Sequence, residues 1–248
     1  MALFEAQGIS KRFGDRIVLE QIDLAFEAGS LTGIMGPNGA GKTTCFNCLT
    51  GVYRPDRGDI RFEGRSIRGL PPPVITRLGI ARSFQAINLF NDDSALDNLV
   101  VALPAMRARS FDTWRDRARD SAARAAAADL LERVGLRGRE NVRAGDLAYG
   151  ERRALEIGLA LATQPRILFL DEPTSALGAN GTARLVELVR ELKRQLTLVI
   201  IEHDMAFLFG LADRINVIHW GQVIARGTPS ELRENAWVQR SALGALPC

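Results

Sequence analysis

Long apolar runs are absent from this chain of 248 residues. No segment reaches the roughly 20 uncharged apolar residues that a membrane-spanning helix needs. The longest candidate, residues 196–211, is interrupted by Glu202, His203 and Asp204. The first residues, MALFEAQGISKRFG, also lack the basic start and the apolar core of a signal peptide. We therefore expect a cytoplasmic chain whose contact with any membrane is peripheral.

Cysteine is scarce, with 3 residues at positions 45, 48 and 248. This number and placement exclude a disulfide framework. Cys45 and Cys48 form a C-x-x-C pair, but on a helix this spacing places two small apolar side chains on one face. A zinc site would need two more ligands, and His203 and His219 lie far along the chain. We interpret the pair as structural.

Lysine is scarce as well, because only Lys11, Lys42 and Lys193 accompany the many arginines among 32 basic residues. A net charge of +3 and a pI of about 9.0 are compatible with nucleic acid or anionic lipid as a partner. The basic residues are spread along the chain and interleaved with acidic ones. We interpret them as solvated surface charge and expect no nucleic-acid partner.

Apolar and polar residues alternate from Leu3 to Phe26, which predicts antiparallel strands around a turn at Gly14 and Asp15. The later part of the chain alternates between strand and helix patterns, which predicts a parallel sheet covered by helices. The other predicted elements are a hairpin near residues 60–64, a strand at 31–35, a helix opening at Lys42, strands at 167–172 and 196–201 with a helix at 183–194 between them, a closing hairpin at 215–227 and a helix beyond Pro229.

Residues 88–148 differ from the segments on either side. The stretch Trp114 to Val134 is rich in Ala, Arg and Leu, which are strong helix formers, and Gly135 follows it. We interpret this region as a helical insertion into an α/β core. The predicted organisation is one domain over residues 1–248, with a core at 1–87 and 149–235, a helical subdomain at 88–148 and a tail at 236–248.

A glycine-rich loop follows the predicted strand at residues 31–35. Its glycines let consecutive backbone N–H groups curl around an anion, and the next helix points its positive end at the same place. We expect Lys42 to reach the β- and γ-phosphates of a nucleotide and the Thr43 hydroxyl to bind Mg²⁺. The loop predicted to bind nucleotide comprises Gly36, Pro37, Asn38, Gly39, Ala40, Gly41, Lys42, Thr43 and Thr44.

A second motif is the apolar strand ILFL, which ends in Asp171 and Glu172. The carboxyl ends of strands are where ligands bind in open α/β sheets. We expect Asp171 to bind Mg²⁺ and Glu172 to polarise an attacking water.

These features, in this order, resemble those of ABC-type ATPases, which are P-loop NTPases with a RecA-like parallel sheet. The resemblance covers nearly the whole chain. Gln85, in ARSFQ, matches a glutamine that contacts the γ-phosphate and Mg²⁺, and His203, in IIEHD, matches the switch histidine that contacts the γ-phosphate. Phe13 matches the aromatic residue that stacks on adenine. The resemblance implies ATP and Mg²⁺ as ligands, with Glu172, His203 and Gln85 as catalytic residues.

Residues 147–151, LAYGE, match the family signature LSGGQ, which caps the γ-phosphate bound to the opposite subunit. The resemblance implies that Ala148, Tyr149, Gly150 and Glu151 bind the partner's nucleotide. The usual serine is replaced here by Ala148 and the first glycine by Tyr149, so one hydroxyl contact is missing.

The segment that follows the acidic strand, residues 175–178, also departs from the family pattern SALD. Gly178 replaces the aspartate and offers no carboxylate to the facing subunit. We hypothesise that this chain's own phosphate loop is fully equipped, whereas its contribution to the partner's site is reduced. The working dimer would then be a heterodimer with unequal sites.

The sequence is similar to the ATP-binding subunits of branched-chain amino acid importers in three segments: LAYG, SFQAINLF with DNLVVA, and the ending from IEHDM to VQRSALG. The resemblance implies a second ABC ATPase subunit in a homodimer or heterodimer, two membrane permeases, and an indirect link to a solute-binding protein. It places the chain on the cytoplasmic face of the inner membrane.

Two alternatives remain open at this stage. One is the ATPase of a lipid or lipopolysaccharide exporter, whose relatives share the VQRSALG-like tail but usually keep the signature serine. The other is an ABC ATPase that acts on DNA or ribosomes, although such proteins carry tandem cores or long coiled-coil insertions that this chain lacks.

Overall fold

The structure, a computed structural model, describes residues 2–83, 88–104, 121–235 and residue 238. Within these ranges, ten strands form two sheets and eight α-helices pack around them. None of the helices in the described part of the chain combines the length and apolar character needed to cross a bilayer.

The strands divide between an antiparallel sheet and a mainly parallel one. They are β1 (Ala2–Phe13), β2 (Arg16–Glu27), β3 (Leu31–Met35), β4 (Arg57–Phe62), β5 (Arg65–Ser66), β6 (Ile80–Arg82), β7 (Ile167–Asp171), β8 (Thr197–Ile201), β9 (Arg214–His219) and β10 (Gln222–Gly227). The four-stranded sheet has the order β2-β1-β4-β5, and its neighbours are antiparallel. The six-stranded sheet has the order β10-β9-β3-β8-β7-β6, and only the edge strand β10 is antiparallel to its neighbour.

The helices cover the parallel sheet and build a layer beside it. They are α1 (Lys42–Leu49), α2 (Pro72–Arg77), α3 (Ala95–Ala102), α4 (Ser121–Arg133), α5 (Tyr149–Ala162), α6 (Ala179–Lys193), α7 (Met205–Leu211) and α8 (Pro229–Glu234). Helices α3, α4 and α5 pack against one another. Helix α5 also borders β6, and so it joins this helical layer to the sheet.

The parallel strands are buried on both faces, which explains their nearly continuous apolar sequences. In β7, Leu168 and Leu170 pack into a core shared with α3 to α8. Ile167 and Phe169 point the opposite way, into a core shared with α1 and the antiparallel sheet. The ring of Phe169 lies 5.4 Å from that of Phe4, so it ties the two sheets together.

The predicted elements are found, with small shifts at their ends. The first hairpin turns at Gly14 and Asp15, and the closing hairpin pairs β9 with β10. Helix α6 begins at Ala179, four residues before the predicted start, because Gly178 is extended and its carbonyl accepts from the Thr182 N–H at 3.0 Å. The helix predicted from Trp114 is described only from Ser121, and the predicted tail, apart from residue 238, lies outside the described residues.

Candidate functional site

The glycine-rich loop is held between two other strands of the fold. A Cβ atom added at Gly36 would lie 2.1 Å from the Ile218 carbonyl oxygen, and one at Gly41 would lie 2.9 Å from the Val18 carbonyl oxygen. Gly41 also has a φ of 100°, which only glycine adopts readily. The glycines at these two positions therefore allow a close approach of backbones as well as a curled loop.

The turn between β9 and β10 supports the same loop from outside. The Gly221 N–H donates to the Ala40 carbonyl at 3.0 Å, and the Gly221 carbonyl accepts from the Glu20 N–H at 2.9 Å. A Cβ at Gly221 would lie 2.3 Å from the Val18 carbonyl oxygen. This turn thus connects the phosphate-loop residues to strand β2.

Lys42 is enclosed by the loop that precedes it. Its Nζ atom donates to the carbonyl oxygens of Gly36 at 2.8 Å and Pro37 at 3.0 Å. Burial lowers the pKa of Lys42, while the nearby carboxylates of Glu172 and Asp171 act in the opposite direction. The ammonium group is therefore placed at the centre of the loop, where helix α1 begins and its backbone N–H groups converge.

The two cysteines of α1 lie on its buried side. Burial raises the pKa of both thiols, that of Cys48 to about 12. Such thiols are protonated and act as small apolar groups. Among the described residues there is no cluster of three or more His, Cys, Asp or Glu side chains that could hold a metal ion.

Asp171 ends β7 and is 1% exposed. Its N–H donates to the Ser83 hydroxyl at 3.2 Å, and its carbonyl accepts from the Arg153 guanidinium at 2.6 Å. The Oδ2 atom is buried and makes no hydrogen bond within the described residues. Burial raises the pKa of Asp171, although the Arg82 guanidinium opposes this shift. One buried carboxylate oxygen without a donor fits Mg²⁺, which commonly takes one or two carboxylates and completes its shell with phosphate and water.

Strand β6 brings a second group of polar residues beside Asp171. Arg82 donates to the side-chain oxygens of Asn47 at 2.8 Å and Thr50 at 2.9 Å, and its guanidinium lies 4.6 Å from the Phe46 ring centroid. Sequence reasoning overlooked Arg82, although a charged residue at the end of a short apolar strand could have indicated it. Gln85 lies outside the described residues, in the segment that follows Ser83.

Glu172 adopts a conformation that is uncommon for a residue with a side chain, with a φ of 43°. Its N–H donates to the Ile201 carbonyl at 2.8 Å, which fixes the turn against the end of β8. Its Oε1 atom lies 3.6 Å from Nδ1 of His203, whose side chain is 58% exposed. The structure thus brings the predicted base and the predicted switch histidine together.

Glu202 lies beside these two residues and was not predicted as a site residue. Its side chain is fully buried, and its Oε1 atom accepts from the Thr174 N–H at 2.8 Å and from the Thr174 hydroxyl. Its Oε2 atom accepts from the N–H groups of His203 at 3.0 Å and Asp204 at 3.3 Å. A glutamate at the end of the apolar strand TLVII was the available signal.

The signature segment lies at the start of α5. Ala148 is the residue before the helix, and its methyl side chain cannot accept a hydrogen bond from the first N–H groups of α5. One half of a capping box therefore forms, in which the Ala148 N–H donates to the Glu151 carboxylate at 3.0 Å. Glu151 also pairs with Arg139 at 2.9 Å, and Tyr149 is 46% exposed. Gly150 borders Leu177 of the segment after β7.

Phe13, at the end of β1, is 45% exposed. Its ring lies 5.4 Å from the ring of Tyr53 in an edge-on arrangement, and Lys11 Nζ is 5.4 Å from its centroid. An exposed aromatic face at this position can stack on a planar group.

The phosphate loop, the Asp171-Glu172 pair and His203 converge where the sheet topology requires. Strands β3, β8 and β7 are adjacent and parallel, so the phosphate loop, His203 and the Asp171-Glu172 pair follow the same edge of one sheet. This edge provides a loop of backbone N–H groups, one ammonium, one carboxylate suited to a cation and a carboxylate–imidazole pair. That arrangement can bind a polyphosphate and direct a water molecule at it.

Comparisons with known proteins agree with this geometry. The family model described as ABC transporter matches residues 19–175. The chain is 41% identical to the high-affinity branched-chain amino acid transport ATP-binding protein LivG of Salmonella typhimurium, with 98% of each chain covered. It is also 41% identical to the corresponding protein BraF of Pseudomonas aeruginosa, again with 98% of each covered.

A more distant relative is the lipopolysaccharide export system ATP-binding protein LptB of Acidithiobacillus ferridurans, at 31% identity over 98% of this chain and 97% of that protein. Among solved structures, the chain superposes on the ADP conformation of MJ1267, an ATP-binding cassette of an ABC transporter, with a TM-score of 0.85. The two sequences are 27% identical, and the superposition covers 96% of this chain and 97% of MJ1267. The predicted α/β P-loop NTPase fold is thereby confirmed. The phosphate-loop edge of the parallel sheet is that of an ATP-binding cassette, and the chain belongs to the ABC transporter family of ATPases.

Proposed function

We propose that this chain binds and hydrolyses Mg·ATP as the ATP-binding subunit of an importer for branched-chain or related amino acids. The observation that supports the chemistry most directly is the convergence of Lys42, Asp171, Glu172 and His203 at one edge of the parallel sheet. The amino acid specificity rests on the relatives LivG and BraF, whose names state that substrate.

The phosphate loop would hold the triphosphate through the N–H groups of residues 36–44. Lys42, already placed at the centre of this loop, would neutralise phosphate charge. Phe13 would stack on the adenine. Bound Mg²⁺, held by Thr43, Asp171 and Gln85, would supply charge neutralisation at the phosphates.

Glu172 would orient and deprotonate a water for attack, since its carboxylate is partly exposed and held beside His203. His203 would contact the γ-phosphate and keep this carboxylate in position. Because the pair lies directly beyond the ends of β7 and β8, the sheet fixes its position relative to the phosphate loop. The phosphate loop follows β3, whereas His203 and Glu172 follow β8 and β7, and the sheet fixes the spacing of these three strands.

Residues 148–151 would bind the γ-phosphate held by a second ABC ATPase subunit. The helix start at Gly150 offers backbone N–H groups for this contact, whereas Ala148 offers no hydroxyl. We propose that the partner is a different chain, because Ala148 and Gly178 both reduce what this chain contributes across the interface. A heterodimer in which Lys42→Ala on this chain alone leaves turnover near normal would contradict the idea that this chain's own loop forms the stronger site.

We also propose the domain division given by the sequence, with a core at residues 1–87 and 149–235, a helical subdomain at 88–148 and a tail at 236–248. Helix α5 would act as the connection between the first two, because it packs on α3 and α4 while Arg153 donates to the Asp171 carbonyl. The complex would lie on the cytoplasmic face of the inner membrane, docked on permeases that a solute-binding protein supplies.

The test separates the chemistry from the substrate. The chain purified together with its partner ATPase subunit should hydrolyse ATP only with Mg²⁺, and Lys42→Ala on this chain should lower that activity. Deletion of the gene in its source organism should lower uptake of radiolabelled leucine, isoleucine and valine but leave ribose uptake unchanged, and the wild-type gene, unlike the Lys42→Ala gene, should restore it. Unchanged amino acid uptake after deletion would exclude the proposed substrate class.

A further inference from the structure

The loop after β7 and the loop after β8 meet at a single buried carboxylate. Glu202 accepts hydrogen bonds from the Thr174 N–H and hydroxyl on one side and from the N–H groups of His203 and Asp204 on the other. Both oxygens are therefore occupied by donors from two different loops. The side chain is 0% exposed, so water cannot replace these donors.

We propose that Glu202 is a positioning residue that sets the separation of Glu172 and His203. This inference rests on the proposed ATP hydrolysis and adds a residue to its mechanism. Nδ1 of His203 lies 3.6 Å from the Glu172 carboxylate and 3.7 Å from that of Glu202, so the imidazole sits between the two. Any movement of Glu202 changes both the loop that carries Glu172 and the loop that carries His203.

The conformation of Glu172 shows why such a tie is needed. A φ of 43° is unfavourable for a glutamate and persists only when the surroundings hold it. One restraint is the hydrogen bond from the Glu172 N–H to the Ile201 carbonyl. A second restraint acts two residues later, where the Thr174 N–H and hydroxyl both donate to the Glu202 carboxylate. Loss of the Glu202 acceptor would let the turn relax and withdraw the Glu172 carboxylate from His203.

The backbone of Glu202 is also bonded to strand β3, which leads into the phosphate loop. Its N–H donates to the Ile34 carbonyl at 3.2 Å, on the strand that leads into that loop. Three catalytic segments, those after β3, β7 and β8, therefore have a common attachment. The role assigned to Glu202 is to align groups that touch the substrate, without touching it itself.

The experiment measures steady-state ATP hydrolysis by the heterodimer that contains either the wild-type chain or its Glu202→Gln variant. A glutamine of the same shape can serve the Thr174 donors, but its NH₂ group would face the N–H groups of His203 and Asp204. We expect kcat to fall about tenfold or more while KM for Mg·ATP changes less than about threefold, because the loss is confined to the transition state. Amide hydrogen exchange at residues 172–177 and 203–204 should become faster.

A matched control is Asp213→Asn. Asp213 also accepts from a backbone N–H of the same sheet, that of Leu31 at 2.8 Å, but at the opposite end of β3. It should lower the melting temperature without changing kcat. Thr174→Val and Thr174→Ser provide a second pair, in which only the valine variant removes the hydroxyl donor and should lower kcat.

The outcomes are distinct. A folded Glu202→Gln chain with the kcat and amide exchange of the wild type would overturn the inference. If that variant does not fold, equal kcat values for Thr174→Val and Thr174→Ser would overturn it instead. A wild-type chain without Mg-dependent hydrolysis would contradict the proposed function, and the amide exchange of the two loops would still decide whether Glu202 positions them.

Discussion

The phosphate loop and the signature segment both lead into the first turn of an α-helix, but the structure equips them differently. The loop before α1 is clamped between β2 and β9 and encloses a buried ammonium. The segment before α5 exposes Tyr149 and has an alanine at the capping position. We infer that the loop before α1 is the stronger anion site, because neighbouring strands fix its backbone on two sides, whereas the backbone before α5 is capped by the Ala148–Glu151 bond alone among the described residues.

We expect the largest effect from Glu172→Gln, which affects hydrolysis of the nucleotide held by the phosphate loop. Glu172→Gln keeps the shape of the side chain but removes the base, and we expect hydrolysis to fall about 10²–10⁴-fold. ATP binding should persist, so an ATP-stabilised dimer should accumulate and be detected by size-exclusion chromatography. Steady-state hydrolysis equal to that of the wild type would remove Glu172 from the proposed mechanism.

The clamp on the phosphate loop can be broken by Gly36→Ala. The added Cβ would meet the Ile218 carbonyl oxygen at 2.1 Å, so loop and strand must separate. We expect destabilisation of about 1–3 kcal/mol, the usual cost of overpacking, and a loss of ATP affinity of about tenfold or more. Isothermal calorimetry and thermal melting measure the two quantities. Gly178→Ala is the control, since nothing lies within 4 Å of a Cβ there.

Asp171→Asn tests the proposed Mg²⁺ ligand beside the phosphate loop. Because burial raises the pKa of Asp171, the folded chain binds a proton there more readily than the unfolded chain, and the charged carboxylate destabilises the fold above that pKa. In Mg-free buffer near neutral pH, the variant should therefore melt about 2–4 °C higher, for a gain of about 1 kcal/mol. This gain should shrink as the pH falls through the pKa of Asp171. Stabilisation by Mg·ATP should weaken, and a variant that melts lower in Mg-free buffer would contradict the argument.

The smallest effect is expected in the signature segment. Ala148→Ser supplies an oxygen that can accept from the Glu151 N–H and complete the capping box with the existing Ala148–Glu151 bond. We expect stabilisation of about 0.5–1 kcal/mol and an increase in hydrolysis by the assembled dimer of about twofold to threefold. Ala148→Val offers a side chain without the acceptor and should produce neither change. No gain from the serine would show that the missing hydroxyl does not limit the partner's site.

Local sequence signals were sufficient for the phosphate loop and for most strands. Glycine spacing before Lys42 specifies a loop that can curl around an anion, and the continuous apolar sequences of β7 and β8 are typical of strands that are buried on both faces. Contacts that join distant segments were not visible in the same way. Glu202 and Arg153 lie 28 and 18 residues from the Thr174 and Asp171 backbone groups that they hold, and nothing in their local pattern names those partners.

Residues that are neighbours in the chain specify the α/β class, the loop that would bind phosphate, and the order of the acidic and histidine motifs, because each of these features is a local pattern. Contacts between distant segments hold Glu172 at a positive φ, place His203 between two carboxylates, and bury an oxygen of Asp171 that has no donor among the described residues. The physical reason is that strand order and register fix these distances, and both follow from the packing of two cores, which no single segment encodes.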